Sequence, residues 1–447
     1  YIPEMWANES IAILEENRVV GNLVHRDFEN EIASYGDTVN TRKPGEFKAK
    51  RKSVSDSVTV QSTTATNVPV KLNQLLHTSF MIKDKDQTLA FKDLVVEYLH
   101  PAMLSIARMI DLVLMGQTHQ FLANRGGGLG TMTSDTAEAF LLDTREVLNI
   151  NKAHETGRNL ILTPRAETVL LKDQRFTSAQ VIGDDGTALR EASLGRKFGF
   201  NLFMAQNAPY VATTGVDKIT GAINNAAGYP AGTKSFTVDG LSAAITAGTY
   251  ITIEGDMTPL RVVSTTGGST PTAIVTNLTT KYDVKDNAVI TICDPGAVNN
   301  AAGYAVDYDK EIAVDGFVNF PVVGQPVAFG TSLTSPVYCI IDTDSSGGTI
   351  TLDRPLEVAL SDNDQACVGP AGSYNLAFHR NAIALVSRPL ALPIPGTGAR
   401  AGVANYNGMS MRCVITYDGN KQGLLITLDT LIGVKVLESL LGAVLLA

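Results

Sequence analysis

The chain has 447 residues, and its 36 Lys and Arg against 45 Asp and Glu give a formal net charge of −9. With 44% hydrophobic and 18% charged residues, the composition is typical of a globular chain of several domains and excludes a disordered or fibrous one. The acidic balance argues against a coat that binds nucleic acid through a basic tail, because phosphate neutralisation needs clustered Lys and Arg. Any contact with nucleic acid is therefore expected to be local.

A basic stretch lies near the N-terminus of this acidic chain. It surrounds Glu46 with six cations: Arg42, Lys43, Lys48, Lys50, Arg51 and Lys52. The valines and the Ser and Thr residues that follow, from Val54 onward, predict two extended arms of a long hairpin with little core of its own. Such a ribbon needs a neighbour, so the six cations are predicted to contact another subunit, with a solvated basic loop as the alternative.

Residues 85–125 give the strongest helical signal. Apolar residues recur there at the spacing of one helical face: Met103, Ala107, Ile110, Leu114 and Phe121. Pro101 suits the first turn of this helix, which is predicted to end near Asn124. The glycines of Arg125–Thr131 superficially resemble a phosphate-binding loop, but no Lys-Ser/Thr pair follows, so a flexible hinge is predicted.

The next segment predicts alternating helices and strands. Ser134 or Asp135 can cap a second helix, and residues 159–162 have the composition of a short buried strand. Thr163 followed by Pro164 supplies an oxygen cap and a proline at the first position of a third helix. This alternation predicts a core built from both helices and strands.

The middle of the chain contains a tandem duplication. Gly221–Tyr229 reads GAINNAAGY and Gly296–Tyr304 reads GAVNNAAGY, identical at eight of nine positions with an offset of 75 residues. Each copy, 221–295 and 296–370, alternates apolar and polar residues over short stretches divided by Gly, Asn, Asp and Pro. This pattern is typical of small antiparallel barrels.

The duplicated copies are predicted to be an insertion. Strands predicted at Phe198–Ala205 and Ala382–Ser387 flank them, as they would if both copies were inserted into one sheeted domain. The junctions are expected near Tyr210–Val216 and near Gly372–Leu376, because an insertion is tolerated where its ends are close and exposed.

No catalytic, cofactor or metal site is predicted. Histidines at HExxH spacing are absent from the set His25, His77, His100, His119, His154 and His379. The pair Asp342 and Asp344 lacks the further carboxylates of a Ca²⁺ loop, and no GxSxG elbow surrounds a nucleophile. No CxxC motif joins the cysteines, which are expected to be reduced thiols: Cys293, Cys339, Cys367 and Cys413.

In their order along the chain, these parts resemble the tailed-bacteriophage major capsid proteins with the Hong Kong phage-type capsid fold. The resemblance covers about 290 residues on both flanks of the insertion. It is carried by IPEMWANESIAILEENRVVGNLVHRDFENEIASYGDTV, the basic hairpin, the long helix, LILTPRAETVLLK, GRKFGFNLFMAQNAP and AFHRNAIALVSRPLALP. An inserted β-module is similar to the insertion-domain branch of the family, although a tandem pair departs from its single-module pattern.

The resemblance implies an α+β fold with seven segments. They are an N-terminal arm (1–36), an extended loop (37–82), a peripheral domain with a long spine helix (83–132), the first part of an axial domain (133–215), β-module 1 (216–295), β-module 2 (296–370) and a second axial/peripheral part (371–447). The implied function is structural and not enzymatic. Pentamers and hexamers would form an icosahedral head around double-stranded DNA, which they contact non-specifically at the inner surface.

The implied partners are further copies of the chain, a scaffolding protein and a portal, with a decoration protein as an optional partner and no membrane. The implied location is the virion, after assembly in the host cytoplasm. Some relatives form a Lys–Asn isopeptide crosslink, for which Lys48, Lys50 or Lys52 lies in the appropriate loop, but no Asn partner can be assigned. The alternatives are an encapsulin-like cellular compartment shell and a secreted β-module adhesin or carbohydrate-binding protein.

Overall fold

The structure is a computed structural model. The described residues are 3–26, 38–43, 49–52, 54, 57–58, 60, 66–85, 95–178, 191–212, 219–241, 245–268, 271–293, 295–308, 310–394 and 398–447. The chain divides into two compact units. The first comprises Tyr1–Glu16, His25–Leu104 and Ile383–Leu437, and the second comprises Asn17–Val24, Ser105–Ala382 and Glu438–Ala447.

The helices and strands are numbered separately in chain order. The α-helices are α1 (Pro3–Asn17), α2 (His100–Gly116), α3 (Ala137–Ile150), α4 (Pro164–Lys172) and α5 (Gln174–Thr177). The strands up to the first copy of the repeat are β1 (Thr38–Lys43), β2 (Thr66–Lys71), β3 (Gln74–Lys83), β4 (Arg125–Gly127), β5 (Arg158–Leu162), β6 (Arg196–Lys197), β7 (Phe200–Met204) and β8 (Tyr210–Val211).

The remaining strands belong to the two copies of the repeat and to the C-terminal part. The first copy contains β9 (Ile219–Ile223), β10 (Ser235–Asp239), β11 (Tyr250–Ile253), β12 (Leu260–Thr266), β13 (Ala273–Thr276) and β14 (Val289–Ile292). The second contains β15 (Gly296–Val298), β16 (Ile312–Asp315), β17 (Pro326–Phe329), β18 (Val337–Asp344), β19 (Thr349–Leu352) and β20 (Gln365–Val368). The last strands are β21 (Gly372–His379), β22 (Ile383–Arg388), β23 (Arg400–Tyr406), β24 (Met409–Asp418), β25 (Gly423–Val436) and β26 (Gly442–Leu446).

The first unit is built on a five-stranded antiparallel sheet. Its order is β22-β25-β24-β23, and β3 pairs with the long strand β25 over ten residues, from Gln74 opposite Ile432 to Lys83 opposite Gly423. Helix α1 buries one apolar face, and its Trp6 ring lies 6.3 Å from the Phe80 ring of β3. The amphipathic helix thus packs on the sheet of its own unit.

A two-stranded ribbon also belongs to the first unit. Strand β1 pairs antiparallel with β2, from Thr38 opposite Lys71 to Lys43 opposite Thr66. Its base packs into a small apolar cluster of Val39, Val70, Leu72, Ala384 and Val386. The ribbon is therefore fixed at its base, and none of the described residues between its strands belongs to this cluster.

The long apolar helix, predicted to begin near Pro101 and to end near Asn124, is instead three consecutive helical pieces. A π-helical turn at Val95–Leu99 precedes α2, and a 3₁₀ segment at Gln117–Phe121 follows it, while residues 86–94 lie outside the described residues. Pro101 lies in the first turn of α2, as predicted. The stretch Glu97–Phe121 has the length and hydropathy of a membrane span, but 61% of its most apolar window is buried within the fold.

The second unit contains a mixed seven-stranded sheet of order β4-β26-β21-β5-β7-β6, with β8 beside β21. All residues of β5 are buried, and α3 and α4 contribute to the same core. The predicted start of α4 is confirmed, because Thr163 Oγ1 accepts the N–H of Ala166 at 3.2 Å and Pro164 is the first helical residue. The predicted caps of α3 are wrong. Helix α3 begins at Ala137 with Thr136 in the N-cap position, and the Thr136 hydroxyl accepts the N–H of Thr133 at 2.9 Å instead of capping the helix.

Two predictions about the flanks of the duplication are corrected. The glycines of Arg125–Thr131 are no hinge, because β4 is buried, runs parallel to β26 and has its Gly126 packed against Thr144. The strand predicted at Ala382–Ser387 is β22, which belongs to the sheet of the first unit. The strand that shares a sheet with β7 is β21.

The junctions of the duplication are adjacent, as the sequence predicts. Strand β8 enters the duplicated region and pairs with β21, which leaves it, with Val211 opposite Gly372 and Tyr210 opposite Ser373. Both copies therefore lie between two neighbouring strands of one sheet.

Each copy forms a closed six-stranded antiparallel barrel with the same strand order. Barrel 1 runs β10-β13-β12-β11-β14-β9, and barrel 2 runs β16-β19-β18-β17-β20-β15, where each strand takes the place of its counterpart. Even the irregularity between Val262 and Ser264 in β12 recurs between Ile340 and Asp342 in β18.

The shared GAxNNAAGY motif is a structural turn. In barrel 1, Asn225 Nδ2 donates to the Gly228 carbonyl at 2.7 Å, and in barrel 2, Asn300 donates to the Gly303 carbonyl at 3.0 Å. Gly303 has φ +66°, and a Cβ there would lie 2.4 Å from the Leu360 carbonyl oxygen. Because only glycine fits this position, the repeat is a signature of the barrel fold and not of a binding site.

Candidate functional site: the basic ribbon and the barrel docking contacts

Five of the six predicted contact residues lie in the described parts of the chain. Arg42 and Lys43 end β1 opposite Asn67 and Thr66, and the structure describes their backbone only. Lys48 lies outside the described residues, and the last three cations are exposed: Lys50, Arg51 and Lys52.

Exposed apolar side chains follow these cations. Val54, Val58 and Val60 have relative exposures of 105%, 75% and 89%. Isolated exposed valines are ordinary, but three of them in a short stretch that follows three exposed cations are typical of a segment that contacts a partner.

Barrel 1 docks on the seven-stranded sheet through a carboxylate of α3. Asp143 Oδ2 accepts the hydroxyl of Tyr282 at 2.5 Å and lies 3.1 Å from the ammonium of Lys281. Burial and this hydrogen bond both raise the pKa of the Tyr282 hydroxyl, which therefore stays protonated. The Arg125 guanidinium of β4 donates to the Thr279 carbonyl, so one end of barrel 1 is held by α3 and β4 together.

Barrel 2 docks through a buried polar network around Asp353. Its carboxylate accepts the N–H of Cys339 at 2.7 Å, the guanidinium of Arg354 at 3.0 Å and the side-chain amide of Gln117 at 3.2 Å. Gln117 belongs to the 3₁₀ segment that follows α2. A Cβ added to Gly116 would lie 2.6 Å from that of Asp353, so the helix end and the barrel are in close contact.

His119 fills the space beside this network. Its Nε2–H donates to the Gly324 carbonyl at 3.2 Å, and its ring meets the Tyr374 ring edge-on at 4.9 Å. Burial lowers the pKa of His119 to about 3, so the imidazole is neutral at physiological pH. The ring is therefore a packed core group rather than a general base poised to act.

The barrels also contact each other. Gln365 Nε2 of barrel 2 donates to the Thr246 hydroxyl of barrel 1 at 2.6 Å. The Arg261 guanidinium of barrel 1 reaches the Ser332 carbonyl of barrel 2 at 3.4 Å. Together with the docking contacts, these bonds hold the barrels against the seven-stranded sheet and its helices, and against each other.

The sequence did not reveal the docking residues, because Asp143 and Tyr282 are 139 positions apart and show no motif. One signal was present in the repeat. Asn277 of barrel 1 accepts the N–H of Arg261, and its counterpart Asp353 accepts the N–H of Cys339, so the second copy has a charged residue at a conserved structural position. The Asp353 carboxylate is the group that bonds outside the barrel, to the side-chain amide of Gln117.

The described residues contain no group of three or more His, Cys, Asp or Glu side chains that could hold a metal ion. None of the four cysteines forms a disulfide and all are buried, and burial raises the pKa of Cys339, Cys367 and Cys413, which keeps these thiols protonated and unreactive. At the docking contacts, Asp143 pairs with Tyr282 and Lys281, and Asp353 pairs with Arg354.

No protein-family model and no curated protein sequence matches the chain. Solved structures do. One of Mycobacterium phage Che8 has a TM-score of 0.44 at 13% identity, covering 96% of this chain and 90% of its own. The capsid of Cyanophage P-SCSP1u has a TM-score of 0.44 at 12% identity, covering 96% and 87%. A virus-like particle from Pyrococcus furiosus has a TM-score of 0.30 at 11% identity, covering 64% and 93%.

Proposed function

We propose that the protein is a structural coat protein that assembles into pentamers and hexamers of an icosahedral phage head around double-stranded DNA. One observation carries this proposal: the chain between the two strands of a ribbon with a fixed base contains exposed cations and exposed valines. A monomeric protein gains nothing from this surface, whereas a shell subunit can lay it over a neighbour and gain contact area without a larger core.

The other parts of the chain fit the same role. In this proposal the ribbon lies in the extended loop (37–82), the helical pieces at 95–121 form the spine, and the seven-stranded sheet forms the axial domain. The two barrels are the inserted modules and project from the outer surface. A scaffolding protein, a portal and packaged DNA complete the proposal as partners, in line with the resemblance noted from the sequence.

Electron microscopy of the expressed protein, with and without its scaffolding partner, tests the proposal. We expect rings or closed shells. A uniform monomer under all conditions would contradict it, and measurable turnover of a substrate by that monomer would favour an enzyme.

A charge variant tests the ribbon specifically. Replacing Lys50, Arg51 and Lys52 with Gln should impair assembly and reduce its salt dependence, because each exposed ion pair contributes only about 0–1 kcal/mol but is repeated over the whole shell. The matched control replaces three exposed lysines elsewhere with Gln: Lys152, Lys172 and Lys234. Equal assembly by both variants, with unchanged salt tolerance, would exclude the ribbon as a contact.

A further inference from the structure

The two barrels have the same loop end, but only one of these ends is covered. We define the loop end of barrel 1 as residues 229–233 and 279–284, and that of barrel 2 as 304–308 and 355–360. In barrel 1 the N–H of Gly232 donates to the Thr280 carbonyl at 2.8 Å. In barrel 2 the N–H of Asp307 donates to the Leu356 carbonyl at 2.7 Å.

A second pair of bonds fixes the correspondence. Tyr229 forms a bridge with Val284, and Tyr304 forms the same bridge with Leu360. When Val284 is aligned with Leu360, Lys281 is equivalent to Glu357, Tyr282 to Val358, and Asp283 to Ala359.

The loop end of barrel 1 is occupied within the chain. Tyr282 and Lys281 are its anchors on Asp143, and the Thr279 carbonyl accepts the Arg125 guanidinium. The fold therefore already contains one docked example of this surface.

The loop end of barrel 2 has lost these anchors and is apolar and exposed. Val358 replaces the anchoring tyrosine and is 51% exposed, and Val306 beside it is 47% exposed. Next to them opens a cavity of about 160 Å³. Its apolar lining includes Phe329, Pro336, Tyr338, Val358 and Leu360. This surface has the character of a docking site: apolar at its centre and concave.

Acidic side chains lie in this loop end and in the adjoining cavity. Asp307 and Glu357 are exposed within the loop end, Asp364 lines the cavity, and Lys310 is the single exposed cation in the described parts of 304–310 and 355–364. Arg354 is buried and pairs with Asp353 and Glu357. A partner that fits must combine apolar side chains with positive charge.

The chain itself carries such a segment. Lys50, Arg51 and Lys52 are exposed, and the exposed valines 54, 58 and 60 follow within one short stretch. This stretch has a positive net charge, whereas the loop end of barrel 2 has a negative one. The valines of the stretch are apolar, as is the centre of the loop end.

We propose that the loop end of barrel 2 binds the basic, valine-containing segment 50–60 of a second copy of this chain. The inference rests on the proposed function, since it requires that copies associate. The two barrels then have different roles. The loop end of barrel 1 binds α3 and β4 of its own chain, and the loop end of barrel 2 binds segment 50–60 of a neighbouring copy.

Photocrosslinking in assembled particles tests this directly. A benzophenone amino acid replaces Val358, and in a control protein it replaces Val289, an exposed valine of barrel 1 outside its loop end. Particles are assembled from a mixture of isotopically light and heavy subunits and irradiated, and the crosslinked peptides are identified by mass spectrometry. We expect the Val358 probe to crosslink to residues 50–60 with mixed isotope labels, and the Val289 probe not to do so.

Assembly of charged variants gives an independent measurement. Replacing Val306 and Val358 with Asp should raise the protein concentration needed for assembly by about tenfold or more, because buried apolar area is lost and like charges are added. The matched control replaces Val263 and Val289 of barrel 1 with Asp and should leave that concentration unchanged. Hydrogen exchange of the barrel strands checks that both variants remain folded.

The outcomes separate the two proposals. Shells whose Val358 probe crosslinks to another segment, to its own chain only, or to nothing would overturn the inference and leave the coat function intact. Wild-type protein that forms neither rings nor shells would overturn both.

Discussion

Replacing Asp353 with Ala should release barrel 2 from its docking contact. The carboxylate is fully buried and accepts from the Cys339 N–H, the Arg354 guanidinium and the Gln117 amide. Its removal leaves a buried cation without its main partner, which typically costs about 3–5 kcal/mol. The amide hydrogens of β17 and β18 should therefore exchange with solvent at least about 150-fold faster than in the wild type.

The repeat supplies the matched control. Asn277 occupies the equivalent position in barrel 1, is half-buried, and accepts only the N–H of Arg261 at 2.8 Å among the bonds described for its side chain. Its replacement by Ala removes one neutral hydrogen bond and should cost about 0.5–1.5 kcal/mol. If both variants destabilise their barrels equally, the buried network around Asp353 is not what holds barrel 2 in place.

Three further variants test the core, the neutral histidine and the repeat glycine. Leu114→Ala should lower the free energy of unfolding by about 2–5 kcal/mol because Leu114 is fully buried, and a loss below about 1 kcal/mol in chemical denaturation would mean that its side chain is exposed. The pKa of His119 is about 3 in the folded protein against about 6.5 unfolded, so protons bind the unfolded state first and stability falls as the pH drops below 6.5, by about 2 kcal/mol between pH 7 and pH 5. His119→Gln should remove this part of the pH dependence, and an unchanged pH profile would show that the imidazole is not desolvated. Gly303→Ala should cost about 1–3 kcal/mol through its positive φ and the clash with the Leu360 carbonyl, whereas Gly232→Ala, with open space around it, should cost about 1 kcal/mol in the same assay.

Local features were predictable from the sequence because their causes are local. The Thr163 cap and Pro164 define the start of α4 within three residues, and the GAxNNAAGY turn repeats because only glycine fits its positive φ. The same reasoning located the junctions of the insertion near Tyr210 and Gly372.

Features that depend on distant pairing were not predictable. Strand β22 has the composition of any buried strand, and only its pairing with β25, from Ile383 opposite Val436, assigns it to the sheet of the first unit. The glycines at 126–127 suggested a hinge because their burial against Thr144 and Phe140 of α3 has no signature in the local sequence. The docking residues Asp143 and Gln117 show the same limit, since each meets a barrel residue more than a hundred positions away.

Tandem barrels of one topology face a hazard during folding, because a strand of one copy could complete the other copy and produce an exchanged, misassembled pair. The cores of the two barrels oppose this exchange. The buried core cluster of barrel 1 consists of Ile, Val, Leu and Ala side chains with one aromatic ring, Phe236, whereas that of barrel 2 contains two rings, Phe329 and Tyr338, on other strands. A strand that carries one of these rings would overfill the other barrel, so divergence of the strands under a preserved turn motif lets each copy recognise its own strands.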